Sequence, residues 1–101
     1  MARPIVWSDP AIEDLEAAVD FIAKDSDVYA RSLAQLTVDA AQSLRDIPNR
    51  GHRLTNPKLS RYRELIIGSY RLVYLVQKNR ILIVAVLNRH RAMRRVLKAR
   101  R

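Results

Sequence analysis

Cysteine is absent from the 101 residues, so disulfide frameworks, thiolate metal sites and thiol nucleophiles are excluded together. Glycine occurs twice, at Gly51 and Gly68, which is too little for a phosphate-cradling loop or a dinucleotide fingerprint. The chain also lacks an HExxH run and any Cys/His spacing suited to a metal; neither a metal nor a cofactor is expected. No serine stands in the glycine-flanked context of a nucleophile elbow. Long apolar runs are missing too. None approaches the roughly 20 residues of a membrane span, and the residues after Met1 carry no signal-peptide core. A cytoplasmic protein without membrane contact is the expectation.

Negative charge is scarce in one half only. Residues 1–47 hold four lysines and arginines against nine acids, a net of −5. Residues 48–101 hold fifteen against Glu64 alone, a net of +14. A half that repels itself this strongly calls for something to offset it, so a polyanionic partner is expected: nucleic acid, an anionic surface or an acidic protein segment. With 49% apolar residues the chain is too hydrophobic to be disordered, and its length suits one domain over residues 1–101.

Arg3 to Trp7 is short, apolar and β-branched, and reads as a strand with Pro4 at its start. Asp9 as N-cap with Pro10 at the first helical position opens a helix. Ile12, Leu15, Val19 and Ile22 line one face of it, and Glu13, Asp14, Glu16 and Asp20 line a solvated one. It ends near Lys24 to Asp27. A second helix, with Leu33, Leu36, Ala40, Leu44 and Ile47 on its apolar face, runs from about Val28 to Pro48 and completes an antiparallel hairpin. Asn49 to Ser60 shows no periodicity and reads as a basic loop. Tyr62–Ile67, Tyr70–Gln77 and Ile81–Leu87 follow as strands, joined too tightly for anything but an antiparallel meander. Ala92 to Arg101 is a short basic helix, or a tail that orders on a partner. The expected fold is α+β, of order β-α-α-β-β-β, with the hairpin on one face of a small antiparallel sheet and the other face open.

Arg71 lies within an apolar strand, on one face with Val73 and Leu75, while Tyr70, Leu72 and Tyr74 take the other. A guanidinium there is costly unless it meets an anion. Two readings follow, a rim arginine tied to Glu64 and an arginine that binds an external anion. Asn88-Arg89-His90-Arg91 closes the last strand with two guanidiniums around an imidazole. Metal-free RNA cleavage needs a base for the 2′-OH proton, an acid for the 5′-oxygen and cations for the phosphorane. His90 with Arg71, Arg89 and Arg91 supplies that set, with His52 as a further acid or base; the plainer reading of both histidines is surface exposure. Trp7 and Tyr29 are expected to pack rather than stack on bases.

Trp7-Ser8-Asp9-Pro10-Ala11-Ile12-Glu13-Asp14-Leu15, Pro48-Asn49-Arg50-Gly51, and Tyr62-Arg63-Glu64-Leu65-Ile66-Ile67-Gly68-Ser69-Tyr70-Arg71-Leu72-Val73-Tyr74 together resemble the RelE/ParE superfamily of toxins from bacterial type II toxin–antitoxin modules. The resemblance extends through the closing Ile83-Val84-Ala85-Val86-Leu87 strand, spans nearly the whole chain and lies closer to the ParE-like branch. It implies a toxin of a growth-arresting, plasmid-stabilising module, neutralised by a cognate antitoxin whose acidic or amphipathic segment wraps the basic half. ParE-like members inhibit DNA gyrase without an evident catalytic centre, whereas RelE-like members cut mRNA on the ribosome. The favoured reading is gyrase inhibition, and the alternative is a ribosome-dependent, metal-independent mRNA endonuclease. On that alternative the expected catalytic residues are Arg71 and Arg91, which match the positions the resemblance implies, with His90, which the residue chemistry alone suggests. In related sequences the position of Asn88 is often His, with an Arg three residues on that Arg91 matches, so His90 lies off that register. Either way the expected target- or antitoxin-binding residues are Arg50, Arg53, Lys58, Arg61, Arg63, Arg71, Arg89, Arg91, Arg94 and Arg95.

Overall fold

The computed structural model describes residues 2–100; Arg101, at the end of the expected tail, lies outside the described residues. Strand β1 (Ile5–Trp7) leads into α1 (Asp9–Ala23) and α2 (Asp27–Ser43), and the chain continues through β2 (His52–Arg53), β3 (Tyr62–Ile67), β4 (Tyr70–Val76), β5 (Ile81–Asn88) and α3 (Met93–Ala99). The α+β class, the helical hairpin and the antiparallel meander are as the sequence predicts. Ser8, not Asp9, caps α1: its side chain accepts from the Ala11 amide, which puts Asp9 and Pro10 in the first turn. Ser26 caps α2 in the same way through Tyr29 N.

The sheet order is β1-β5-β4-β3-β2. It is mixed rather than antiparallel, because β1 pairs parallel with β5, Ile5 opposite Ile81 and Trp7 opposite Ile83. The segment expected to be a basic loop supplies the edge strand β2, with His52 opposite Glu64 and Arg53 opposite Arg63, then a 3-10 turn at Pro57–Leu59. Gly68 takes the left-handed conformation, φ 60°, that the tight β3–β4 turn demands.

Two cores flank the sheet. On one side Ala11, Ala41 and Leu44 of the helical hairpin pack on Leu72, Tyr74, Ile81, Ile83 and Val86. The buried stripes are Ala11 and Ala18 on α1, and Ala30, Leu33, Thr37 and Ala41 on α2. Ile12, Leu36, Ile47 and Tyr29, expected to pack, are exposed. Small alanines let the helices approach the sheet closely, so the larger residues that suggested the stripe turn partly outward.

The opposite face is not open. Leu54, Tyr62, Val73, Val84, Ala85 and Leu87 form a second core that Met93 and Leu97 of α3 cover. A bulge in β5 produces part of this face. Val73 pairs with Ala85 and Tyr74 with Ile83, so Val84 is extra, and Val84 and Ala85 both join the second core. An apolar sheet face of this size has to be covered, and the tail is the segment that covers it.

Asp14 ties α3 to the rest and departs from the solvated face expected for it. Its carboxylate accepts from Val86 N at 3.0 Å and from both terminal nitrogens of Arg100, Nη2 to Oδ1 at 2.9 Å. Arg100 Nη1 also donates to Val84 O at 3.1 Å. These hydrogen bonds to Asp14 hold the Arg100 guanidinium above its ordinary range. With β1 ending beside Ile83, the ion pair satisfies β5 edge groups that a longer β1 would have paired.

Candidate functional site

The only acid of the basic half lies at its centre. Glu64, in the middle of β3, has a side chain 10% exposed, and a carboxylate so far from water needs partners. Oε2 receives Arg71 Nη1 at 3.3 Å, and Oε1 meets His52 Nε2 at 2.9 Å. An ionised carboxylate only accepts, so the second contact requires a proton on His52 Nε2. The His52 side chain is 63% exposed, so this arm of the cluster reaches solvent. Arg71 Nη2 donates to the carbonyl of Arg89, and Arg71 Nε is buried without a hydrogen-bond partner among the described residues. The guanidinium therefore joins β3, β4 and the turn after β5 and keeps one unused donor.

Beside this cluster the chain is pinned by Tyr74. Its hydroxyl donates to Pro48 O at 2.8 Å and accepts from Gly51 N at 2.8 Å. Burial raises the Tyr74 pKa, against lowering by the Gly51 hydrogen bond and by the charges of Arg63 and Arg50. Gly51 fits because it has no Cβ: one added there would lie 2.6 Å from Glu64 O and 2.7 Å from Tyr74 Oη. Arg63 Nη1 closes the same corner on Gly51 O at 2.7 Å. The Pro48-to-Gly51 run is thus a packed turn that delivers His52 to Glu64.

Two clefts open near the start of β3, one on each face of the sheet. One, of about 680 Å³, lies between the 3-10 turn and α3 and is lined by Lys58, Leu59, Arg61, Tyr62, Arg94, Leu97 and Lys98. The other, of about 490 Å³, is lined by Asn49, Arg53, Ser60, Arg61, Arg63 and Val76. Arg61 borders both, its guanidinium 5.0 Å from the Tyr62 ring centre and hydrogen-bonded to the Tyr62 hydroxyl. Neither lining includes a carboxylate.

The remaining candidates are dispersed. Arg50 bonds Ser43 Oγ on the hairpin. Arg89, His90 and Arg91 are exposed in the turn after β5, where backbone bonds to Asn88 hold His90 and Arg91. No hydrogen bond joins the His90 imidazole to Arg71, Arg89 or Arg91 among the described residues. Arg95 is exposed on α3 and borders neither cleft. Among the described residues no three His, Asp or Glu side chains are grouped to hold a metal ion, and no helix is long and apolar enough to cross a membrane. Sequence reasoning paired Arg71 with Glu64 but missed His52 as the third member. The signal available was that Glu64 is the sole acid after Asp46.

A mixed five-stranded sheet, with a helical hairpin on one face and a short helix on the other, is the fold of small RelE/ParE-type toxins. The solved structures agree on the fold. The chromosomal ParDE toxin–antitoxin system from P. aeruginosa matches with a TM-score of 0.71 at 19% identity, covering 86% of this chain and 96% of that one. The RelBE2 toxin–antitoxin complex from Mycobacterium tuberculosis matches at 0.65 and 22% identity, covering 88% and 100%. The YoeB dimer from Staphylococcus aureus matches at 0.58 and 20% identity, covering 90% and 100%. No curated protein sequence matches the chain. A family model described as the ParE toxin of the type II toxin–antitoxin system parDE matches residues 5–93. The chain belongs to that family and is a toxin of the type II toxin–antitoxin class.

Proposed function

We propose that this toxin arrests growth by binding and inhibiting DNA gyrase through its basic half, and that a cognate antitoxin neutralises it by laying an acidic or amphipathic segment over that half. The observation that carries the reading is the exposed basic surface: Arg53, Lys58, Arg94 and Lys98 are exposed without an ion-pair partner among the described residues, while the Arg71 guanidinium is already engaged by Glu64 and the Arg89 carbonyl. Arg71 serves here to brace three segments. Membership of the ParE family supports the same reading. Supercoiling by purified gyrase, measured over a concentration series of the free chain, tests it. Inhibition with trapped, cleaved DNA is expected; full supercoiling in the presence of demonstrably folded chain refutes it.

One observation favours ribosome-dependent mRNA cleavage as a second reading. His52, Glu64 and Arg71 form a contiguous imidazole–carboxylate–guanidinium group, which contains an acid–base pair and a cation for phosphorane charge. On that reading His52→Gln loses mRNA cleavage on ribosomes while its folding and antitoxin binding persist.

A further inference from the structure

We propose that the outer edge of β3 beside α2 takes an extended segment of the antitoxin, which adds a strand to the sheet through the Ile66 backbone and seats an apolar side chain in the groove at Tyr29 and Leu36. This rests on the antitoxin reading above but uses a surface distinct from the two basic clefts. Leu54 N donates to Tyr62 O at 3.1 Å, and His52 stands opposite Glu64. Backbone groups alternate between the two sides of a strand, so Tyr62, Glu64 and Ile66 turn theirs away from β4 and towards the β2 side. β2 is two residues long, and its pairing ends at Glu64. The N–H and C=O of Ile66 therefore face an unfilled ladder position, and Ile66 is 44% exposed.

The groove beside that edge is apolar. Tyr29 and Leu36 of α2, 60% and 58% exposed, line it together with Ile67 and Tyr70 of the β3–β4 hairpin. Tyr29, Leu36 and Ser43 recur at a seven-residue spacing and so share one flank of α2, and Arg50, bonded to Ser43 Oγ, stands at the far end of that flank. An unpaired strand edge selects an extended partner, because such a backbone returns both hydrogen bonds. Alternate side chains of that partner face the groove, and a carboxylate at the Arg50 end meets a cation. A second copy of this chain does not fit. Pairing antiparallel about Ile66 would put Gly68 of one copy opposite Glu64 of the other, where His52 already stands, and would bring together two halves of net charge +14.

The test is amide hydrogen exchange, followed by NMR, of the full chain alone and in complex with its antitoxin. In the free chain the Ile66 amide should exchange at least about tenfold faster than that of Leu65, which faces β4, and in the complex it should slow by at least about tenfold. Competition against labelled wild-type chain reads relative affinity for the antitoxin. Ile66→Pro removes the edge donor without touching a β4 bond and should weaken binding by about 2–10-fold, whereas Ile66→Thr keeps the N–H and should bind like the wild type. Leu36→Glu, at an exposed position, should leave the fold intact and weaken binding by at least about tenfold. A complex in which Ile66 exchanges at its free rate, or Leu36→Glu binding like the wild type, overturns the added strand and leaves the basic-surface reading standing. Protection of Ile66 with an affinity indifferent to Lys58→Gln and Arg94→Gln supports the added strand and overturns that reading. Protection of Ile66 in the free chain overturns the assignment to the antitoxin: rising with concentration it marks a second copy, and independent of concentration it marks an edge already closed within the chain.

Discussion

Replacing Asp14 with alanine should unfasten α3 from the sheet and remove a large part of the stability of the domain. The Asp14 carboxylate accepts three hydrogen bonds, one from Val86 N and two from Arg100. The side chains of the pair are 10% and 19% exposed. Removing one partner of a buried ion pair costs about 3–5 kcal/mol, because the other charge stays behind in a poor solvent. The exposure of Arg100 admits some water and places the expected loss at the lower end, about 3 kcal/mol. Against a total of about 5–15 kcal/mol for an ordinary domain, that is a severe change. At about 4–8 °C per kcal/mol for a domain of this size, Tm should fall by about 12–24 °C. Urea denaturation of the wild type, Asp14→Ala, Arg100→Ala and the double variant closes the cycle, with an expected coupling of about 2 kcal/mol. A loss below about 1 kcal/mol in Asp14→Ala, or additive single variants, would refute the view that this pair secures the tail.

Gly51→Ala should destabilise the fold by about 1–3 kcal/mol, since the added methyl meets the Glu64 carbonyl at 2.6 Å; an unchanged urea midpoint would contradict that packing. Tyr74→Phe leaves Gly51 N–H and Pro48 C=O without their hydroxyl partner and should cost about 1–3 kcal/mol in the same assay. The Tyr74 pKa is raised in the folded protein, so the folded state holds this proton more tightly than the unfolded chain. The resulting stabilisation is complete below about pH 10, the unfolded value, and is lost as pH rises through the folded one. Tyr74→Phe should accordingly show a shallower alkaline decline in stability than the wild type, measured by thermal melts from pH 8 to 11. His90→Gln should retain full toxicity on expression without antitoxin, because inhibition of gyrase by binding uses no acid–base imidazole; loss of toxicity in a folded variant would return His90 to the mechanism.

Much of this molecule is written locally. The Ser8-Asp9-Pro10 start, the Gly68-Ser69 turn and the three alternating runs fix the elements, because caps, turns and side-chain period act over a few residues, whereas the second helix, expected to run to Pro48, ends at Ser43. Charge counting is local in the same sense, and it located both the basic half and its lone acid. The helix faces were less legible. Spacing of large apolar residues favoured Ile12, Leu36 and Ile47, whereas close packing on the sheet selected Ala11, Ala18, Ala30 and Ala41.

What the sequence by itself determined is the order of elements, the family pattern and the separation of charge, each set by residue type and short-range spacing. The tertiary structure decided the rest: the parallel pairing of β1 with β5, the cover that α3 gives the second core, the Asp14–Arg100 tie and the meeting of His52, Glu64 and Arg71. These contacts join residues as far apart as Asp14 and Arg100, and which of them meet depends on sheet order and on the extra residue at Val84 that turns one edge of β5. The bulge acts at a distance because a one-residue shift exchanges the faces of every side chain beyond it.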